Sequence, residues 1–150
     1  MSQLCPCKST LQFDKCCKPI ITGETDAKTA EQLMRSRYSA YATQVVDYLL
    51  DSSCSVNDSK DDIETFSKSA YFQHLEIVST SENSVEFKAY FILEGKQQLL
   101  HEQSTFEQKE NGSWCYKEGT IYPEEFSQGR NEKCICGSGK KFKQCCAKRM

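Results

Sequence analysis

No stretch of this 150-residue sequence is apolar for long enough to cross a membrane. The longest run without a charged side chain, residues 38–46, falls far short of the ~20 residues that a spanning helix needs. No charged-then-apolar leader opens the sequence, so the expectation is a cytoplasmic protein with no membrane partner. Histidine is almost missing: His74 and His101 are the only two. That disposes of a zinc-protease reading of His101-Glu102. The second histidine would fall four residues on, where Thr105 stands, and two histidines leave a catalytic metal short of ligands. Alternation along a strand would also turn His101 and Glu102 to opposite faces. No nucleophile elbow, dinucleotide loop or usefully spaced carboxylate pair is present. The run Gly137-Ser138-Gly139-Lys140-Lys141 lacks the Walker spacing and follows no strand. No catalytic set is therefore assigned, and binding is expected rather than catalysis.

What is abundant is cysteine. Of the ten, only Cys54 and Cys115 lie away from the ends, and these two are read as buried small hydrophobes. A disulfide scaffold would tie its core together, whereas here the thiols gather at both termini. Charge is also uneven. Residues 130–150 carry seven basic side chains against Glu132 alone, +6, which leaves −8 on residues 1–129. Lys140, Lys141, Lys143, Lys148 and Arg149 thus form a candidate contact for an anionic partner, the alternative being a tail that is merely soluble.

The terminal cysteines repeat. Cys5-Pro-Cys7-Lys-Ser-Thr-Leu-Gln-Phe-Asp-Lys-Cys16-Cys17 matches Cys134-Ile-Cys136-Gly-Ser-Gly-Lys-Lys-Phe-Lys-Gln-Cys145-Cys146 at all four cysteines, at Ser9 with Ser138 and at Phe13 with Phe142. Four thiolates complete the tetrahedral shell of zinc and leave no place for a substrate. Thirteen residues cannot form a hydrophobic core, so the metal must supply the folding free energy. A vicinal disulfide would be strained. Two structural zinc ions are expected, held by Cys5, Cys7, Cys16 and Cys17 and by Cys134, Cys136, Cys145 and Cys146. A reactive thiol cluster is the alternative.

Between the repeats, Thr29-x-x-Gln32 offers a capping box, and Ala30, Leu33, Met34, Arg37, Tyr38, Tyr41, Val45, Tyr48 and Leu49 recur at helical spacing as one long helix. Residues 59–69 predict a shorter second helix. The period then drops to two from Val85 to Leu93 and from Leu100 to Phe106, and Asn111-Gly112 signals a hairpin before a strand over 114–122. Residues 73–79 supply one more strand. Helices followed by antiparallel strands predict an α+β domain with its helices on one face of a sheet. Arg37 falls in the apolar stripe of the long helix, and an unpaired buried charge is costly. Glu102 is the candidate partner, with Ser104 beside it, either as an ion pair that orients the helix or as the polar centre of a small-molecule pocket. Arg37 can otherwise snorkel outward.

The second repeat resembles the SEC-C motif, the zinc knuckle at the carboxyl end of the secretion ATPase SecA. That motif ends Cys-His more often than Cys-Cys, so Cys146 takes the histidine's ligand place. The resemblance implies contact with a SecB-like export chaperone or a ribosomal component, with RNA contact open to the basic tail. The first repeat departs from it, having Lys8-Ser9-Thr10-Leu11 where Gly-Ser-Gly-Lys is usual. Leu33-Met34-Arg35-Ser36-Arg37-Tyr38-Ser39-Ala40-Tyr41, His101-Glu102-x-Ser104-x-Phe106 and Gly112-x-Trp114 are similar to the YchJ family. That similarity implies a middle domain of the nuclear-transport-factor-two-like (cystatin-like) fold, a curved sheet around a long helix. The expected organisation is a knuckle over 1–22, the α+β domain over 23–128 and a second knuckle over 129–150. The expected function is a zinc-binding adaptor that meets its partner through the knuckles; the alternative is an enzyme or small-molecule binder with a pocket at Arg37, Glu102 and Ser104.

Overall fold

A computed structural model describes residues 3–54 and 58–150. After the first knuckle and a short helix α1 (Lys18–Ile21) come α2 (Ala30–Thr43), α3 (Val46–Asp51) and α4 (Lys60–Ser69). Four strands follow, β1 (Tyr71–Thr80), β2 (Ser84–Leu93), β3 (Lys96–Gln108) and β4 (Trp114–Ile121), then the second knuckle. The strands form one antiparallel meander in the order β1-β2-β3-β4.

The capping signals at Thr29 and Ser59 are both used. Thr29 Oγ1 accepts from the Gln32 amide at 3.0 Å, while Gln32 Oε1 accepts from the Lys28 amide at 2.7 Å, so the box closes one residue earlier than its usual form. Ser59 caps α4 by accepting from the Asp62 amide. The expected single long helix is corrected. It stops at Thr43, because Gln44 takes a left-handed conformation (φ 63°) and the Val45 amide folds back onto the Ala40 carbonyl. Val45 to Leu49 therefore belong to a separate turn, which buries Leu49 from a new direction.

Strand alternation divides the sheet into two faces. Phe72, Leu75, Phe87, Ala89, Phe91 and Phe106 face the helices, and register places Glu102 opposite Phe87 and Ser104 opposite Val85 on that same face. The first knuckle joins this core: Cys5, Cys7 and Cys17 pack with Ala30, Leu33, Met34, Tyr38 and Leu75. The opposite face carries a smaller cluster of Ile92, Cys134, Phe142 and Cys146, with Tyr71 against it. The strap that delivers the second knuckle crosses this outer face. Phe126 stacks on Tyr90, and Glu124 and Glu86 hold the two ring nitrogens of His101 at 3.1 and 2.7 Å. Both knuckles are thus built into the body rather than hung from it.

One cysteine expectation also changes. Ser53 pairs with Tyr116 as a single parallel bridge at the β4 edge, which brings Cys54 beside Cys115 with a Cα–Cα distance of 5.5 Å, and the two form a disulfide.

Candidate metal centres and the cavity under the long helix

The two knuckles share one backbone path. The Cys5 amide bonds to Leu11 O and the Cys134 amide to Lys140 O, both at 2.8 Å. Lys8 and Gly137 donate to Cys5 O and Cys134 O, each at 3.2 Å. The path requires left-handed residues at two equivalent places: Lys8 (φ 64°) and Thr10 (φ 74°) in the first copy, Gly137 and Gly139 (φ 85° each) in the second. Glycine occupies these positions without a Cβ penalty; threonine does not. Replacing Thr10 by glycine is expected to raise stability by about 1 kcal/mol, read as the midpoint of denaturant unfolding. Lower stability in Thr10→Gly would contradict the assignment of strain there.

In each knuckle the four sulfurs lie within 4.8 Å of one another. Cys7–Cys16 and Cys16–Cys17 are 3.7 and 3.9 Å apart; Cys136–Cys145 and Cys145–Cys146 are 3.5 and 4.0 Å apart. A tetrahedral ion with metal–sulfur bonds of ~2.3 Å needs sulfurs ~3.8 Å apart, so both tetrads fit a four-thiolate shell. Ser9 and Ser138 each place a hydroxyl 3.2 Å from the third sulfur, that of Cys16 or Cys145. Hydrogen bonding from Cys17 and Cys5 holds the Cys7 thiol far below its ordinary pKa, while burial pushes Cys16 up to about 11. In the second tetrad burial opposes ionisation of Cys136, but Ser138 holds that thiol down to about 7.

The supports around the tetrads differ. Arg35 donates from Nη1 to the Cys7 carbonyl at 2.9 Å, lies 3.7 Å from the Cys7 sulfur, and is itself fixed by Glu31 at 2.9 Å. Burial works against its charge, yet Glu31 and Cys7 raise its pKa above the ordinary value. Ser39 lies 3.4 Å from the Cys5 sulfur. In the second knuckle Gln73, buried on β1, points Nε2 at the Cys134 sulfur from 4.0 Å, in the place that Ser39 takes beside Cys5. Neither Arg35 nor Gln73 is marked as a support of the tetrads by its place in the sequence pattern. The only local trace of Arg35's role is Glu31 four residues before it. The knuckles also touch each other, for Lys8 Nζ donates to the Cys136 carbonyl at 3.0 Å.

Of the basic residues of the second knuckle, Arg149 lies over the Tyr71 ring at 4.0 Å and is committed to the body. Lys140, Lys141 and Lys148 are exposed and Lys143 half-buried, and none of the four enters an ion pair among the described residues.

Arg37, Glu102 and Ser104 line one cavity of about 180 Å³ between α2, α4 and the sheet. The expected ion pair is corrected: Arg37 instead donates to the Leu49 carbonyl at 2.8 Å and to Ser52 Oγ at 2.6 Å, and no contact within 4.0 Å joins it to Glu102. The break at Gln44 accounts for this, since it turns α3 back so that its last carbonyls meet the guanidinium. Glu102 accepts from the Ser104 hydroxyl. Its carboxyl group leans over Gly119, where a Cβ would come within 2.6 Å of the carboxyl carbon. Gly119, inside a strand, is the sequence sign of that close approach.

A curved α+β domain stapled by two four-cysteine knuckles is the class that fold and site define together. The family model described as the YchJ middle NTF2-like domain matches residues 29–119, and the SEC-C motif matches residues 130–148. A UPF0225 protein of Vibrio parahaemolyticus is 40% identical over 97% of this chain and 99% of its own length, and one of Vibrio cholerae is 40% identical over 95% and 98%. The crystal structure of a SEC-C motif containing protein from Psychrobacter arcticus aligns with TM-score 0.67 at 33% identity, covering 99% of this chain and 97% of that one. The solution structure of a SEC-C motif containing protein from Rhodopseudomonas palustris gives TM-score 0.71 at 30% identity, over 82% of this chain and all of that one. The chain belongs to the YchJ-like UPF0225 family of SEC-C motif proteins.

Proposed function

We propose that each tetrad holds one structural zinc ion and that the second knuckle is the contact surface for an acidic protein. Sulfur is the only donor type in either shell, and four thiolates leave no open position for chemistry, which supports a structural ion over a catalytic one. The observation that carries the partner reading is the set of lysines without an ion pair among the described residues: Lys140 and Lys141 on the loop between the ligand pairs, and Lys143 and Lys148 on the short helical turns either side of Cys145. Basic side chains held without carboxylate partners offer their full charge to an anionic surface. A protein is favoured over RNA because recognition of unpaired bases uses exposed aromatic rings. The aromatic of this knuckle, Phe142, is buried, and the adjoining Tyr71 is covered by Arg149. A chaperone or a ribosomal protein with an acidic face has the required chemistry.

The test is capture of cross-linked partners by the intact protein and by a Lys140→Glu, Lys141→Glu, Lys148→Glu variant, each with and without ribonuclease. These side chains are exposed, so the variant keeps the fold. Proteins retained by the intact chain despite ribonuclease, and lost from the variant, support the reading. Identical captures by both forms would sink it. Loss of capture on ribonuclease treatment transfers the surface to RNA.

A further inference from the structure

The cavity behind α2 presents an arrangement that fold stability alone does not ask for. Arg37 and Glu102, of opposite charge and each nearly buried, line the same 180 Å³ space and do not meet. Burying two charges is most cheaply compensated when they pair directly. Here each is partnered by neutral groups: Arg37 by a carbonyl and the Ser52 hydroxyl, Glu102 by the Ser104 hydroxyl. The Arg37 bonds both leave from Nη1, so its Nη2 and Nε hydrogens have no hydrogen-bond partner among the described residues. The guanidinium lies 5.1 Å from the centre of the Tyr116 ring. Burial, then the charge of Glu102, pushes the Tyr116 hydroxyl up to about 12, which keeps it protonated and able to donate. Much of the remaining wall is aromatic, with Met34, Ala89 and Leu100 between the rings: Phe66 meets Phe72 and Phe91 edge-on at 5.8 and 5.5 Å, and Tyr41 closes the set.

We infer that this cavity is a binding site for a small single-ring molecule that bridges the two charges, with a carboxylate or carbonyl for Arg37 at one end and a hydroxyl or amine for Glu102 at the other. Volume sets the size. The space equals about six waters of liquid and falls below the ~300–1,000 Å³ of sites for drug-sized ligands, so one substituted ring of about ten non-hydrogen atoms fills it. The aromatic walls take the ring faces. The walls offer one cation and one carboxylate, with the charge of Asp58 also acting on Arg37, Tyr41 and Tyr116, which selects against a ligand bearing several negative charges and in favour of one carrying an acceptor and a donor on opposite edges. Direct pairing of Arg37 with Glu102 would abolish this selectivity, and the Ser52 and Ser104 contacts hold the two groups apart.

The probes are 4-hydroxybenzoate, which has both ends, benzoate, which lacks the donor, and phenol, which lacks the carboxylate. Each is titrated into the zinc-loaded full-length protein while backbone and side-chain resonances are followed. Saturable shifts centred on Ala89, Phe91 and Tyr116 are expected with 4-hydroxybenzoate, and binding about tenfold weaker or more for each of the other two. Glu102→Gln should shrink the gap between 4-hydroxybenzoate and benzoate. Ala89→Leu, which fills the cavity without touching either charge, should abolish binding while the rest of the spectrum shows an intact fold. No saturable shift with any probe at millimolar concentration overturns the inference, as does undiminished binding in folded Ala89→Leu.

Discussion

Native mass spectrometry of the intact protein is expected to return the chain plus two zinc ions. Replacing Cys145 and Cys146 by serine should leave one. The effect will not stop at metal content, because Cys134, Cys146 and Phe142 share a buried cluster with Ile92 on the outer face of the sheet. Zinc binding contributes about 10–16 kcal/mol to small zinc-finger peptides, and loss of a structural metal belongs with the substitutions that cost more than about 4–5 kcal/mol. Unfolding by denaturant should therefore move to markedly lower concentration in the double serine variant. The corresponding change at Cys16 and Cys17 should be at least as damaging, since Cys5, Cys7 and Cys17 sit in the main core with Leu33 and Leu75. Retention of both ions after the Cys145, Cys146 change would refute the ligand assignment. Loss of zinc with unchanged stability would show that the metal does not hold the fold.

The second large effect is expected at Arg35, which is not itself a ligand. Its guanidinium ties Glu31 on α2 to the carbonyl and sulfur of Cys7, so it both fixes the knuckle on the helix and would offset the negative charge of the four-thiolate zinc site proposed there. Partners that orient ligands are typically worth 10–100-fold in metal affinity. In Arg35→Ala, one zinc should pass to a competing chelator about 10–100-fold more readily while the other is unchanged. Arg35→Lys should recover little, since a point charge cannot serve Glu31 and Cys7 together as the planar fork does. Equal release of both ions from the variant would mean that Arg35 acts on the whole fold. An unchanged release curve would mean that the contact has no bearing on the metal.

The tetrads were legible because their spacing repeats: Cys5 to Cys17 and Cys134 to Cys146 carry the same pattern, and the geometry that matters lies within thirteen residues. The change from helical to alternating periodicity was legible for the same reason, being local. Arg35 with Cys7 and Gln73 with Cys134 join residues 28 and 61 positions apart, and nothing in either neighbourhood marks the partner. Pairing Arg37 with Glu102 followed from charge alone. It failed because the chain turns at Gln44, a non-glycine residue in a left-handed conformation that periodicity does not register, and α3 and its cap present a carbonyl and a hydroxyl instead. The Cys54–Cys115 bond depends on a single bridge between Ser53 and Tyr116, an equally silent event in the sequence.

The way the two ends of the chain meet has a bearing on synthesis. Lys8 reaches the carbonyl of Cys136 across 128 positions, and the outer face around Tyr71 and Ile92 is roofed by Cys134, Phe142 and Cys146, which are made after the whole sheet. The first knuckle can close on α2 as soon as that helix has formed, since the segments involved are neighbours in the chain. The sheet cannot. Until residues 134–146 have emerged and taken up metal, a complete four-stranded meander carries a bare apolar patch on one side. A nascent chain therefore passes through a stage with one end finished and the other open. With a metal in the second tetrad, as proposed, closure of that patch awaits the ion as well as the polypeptide.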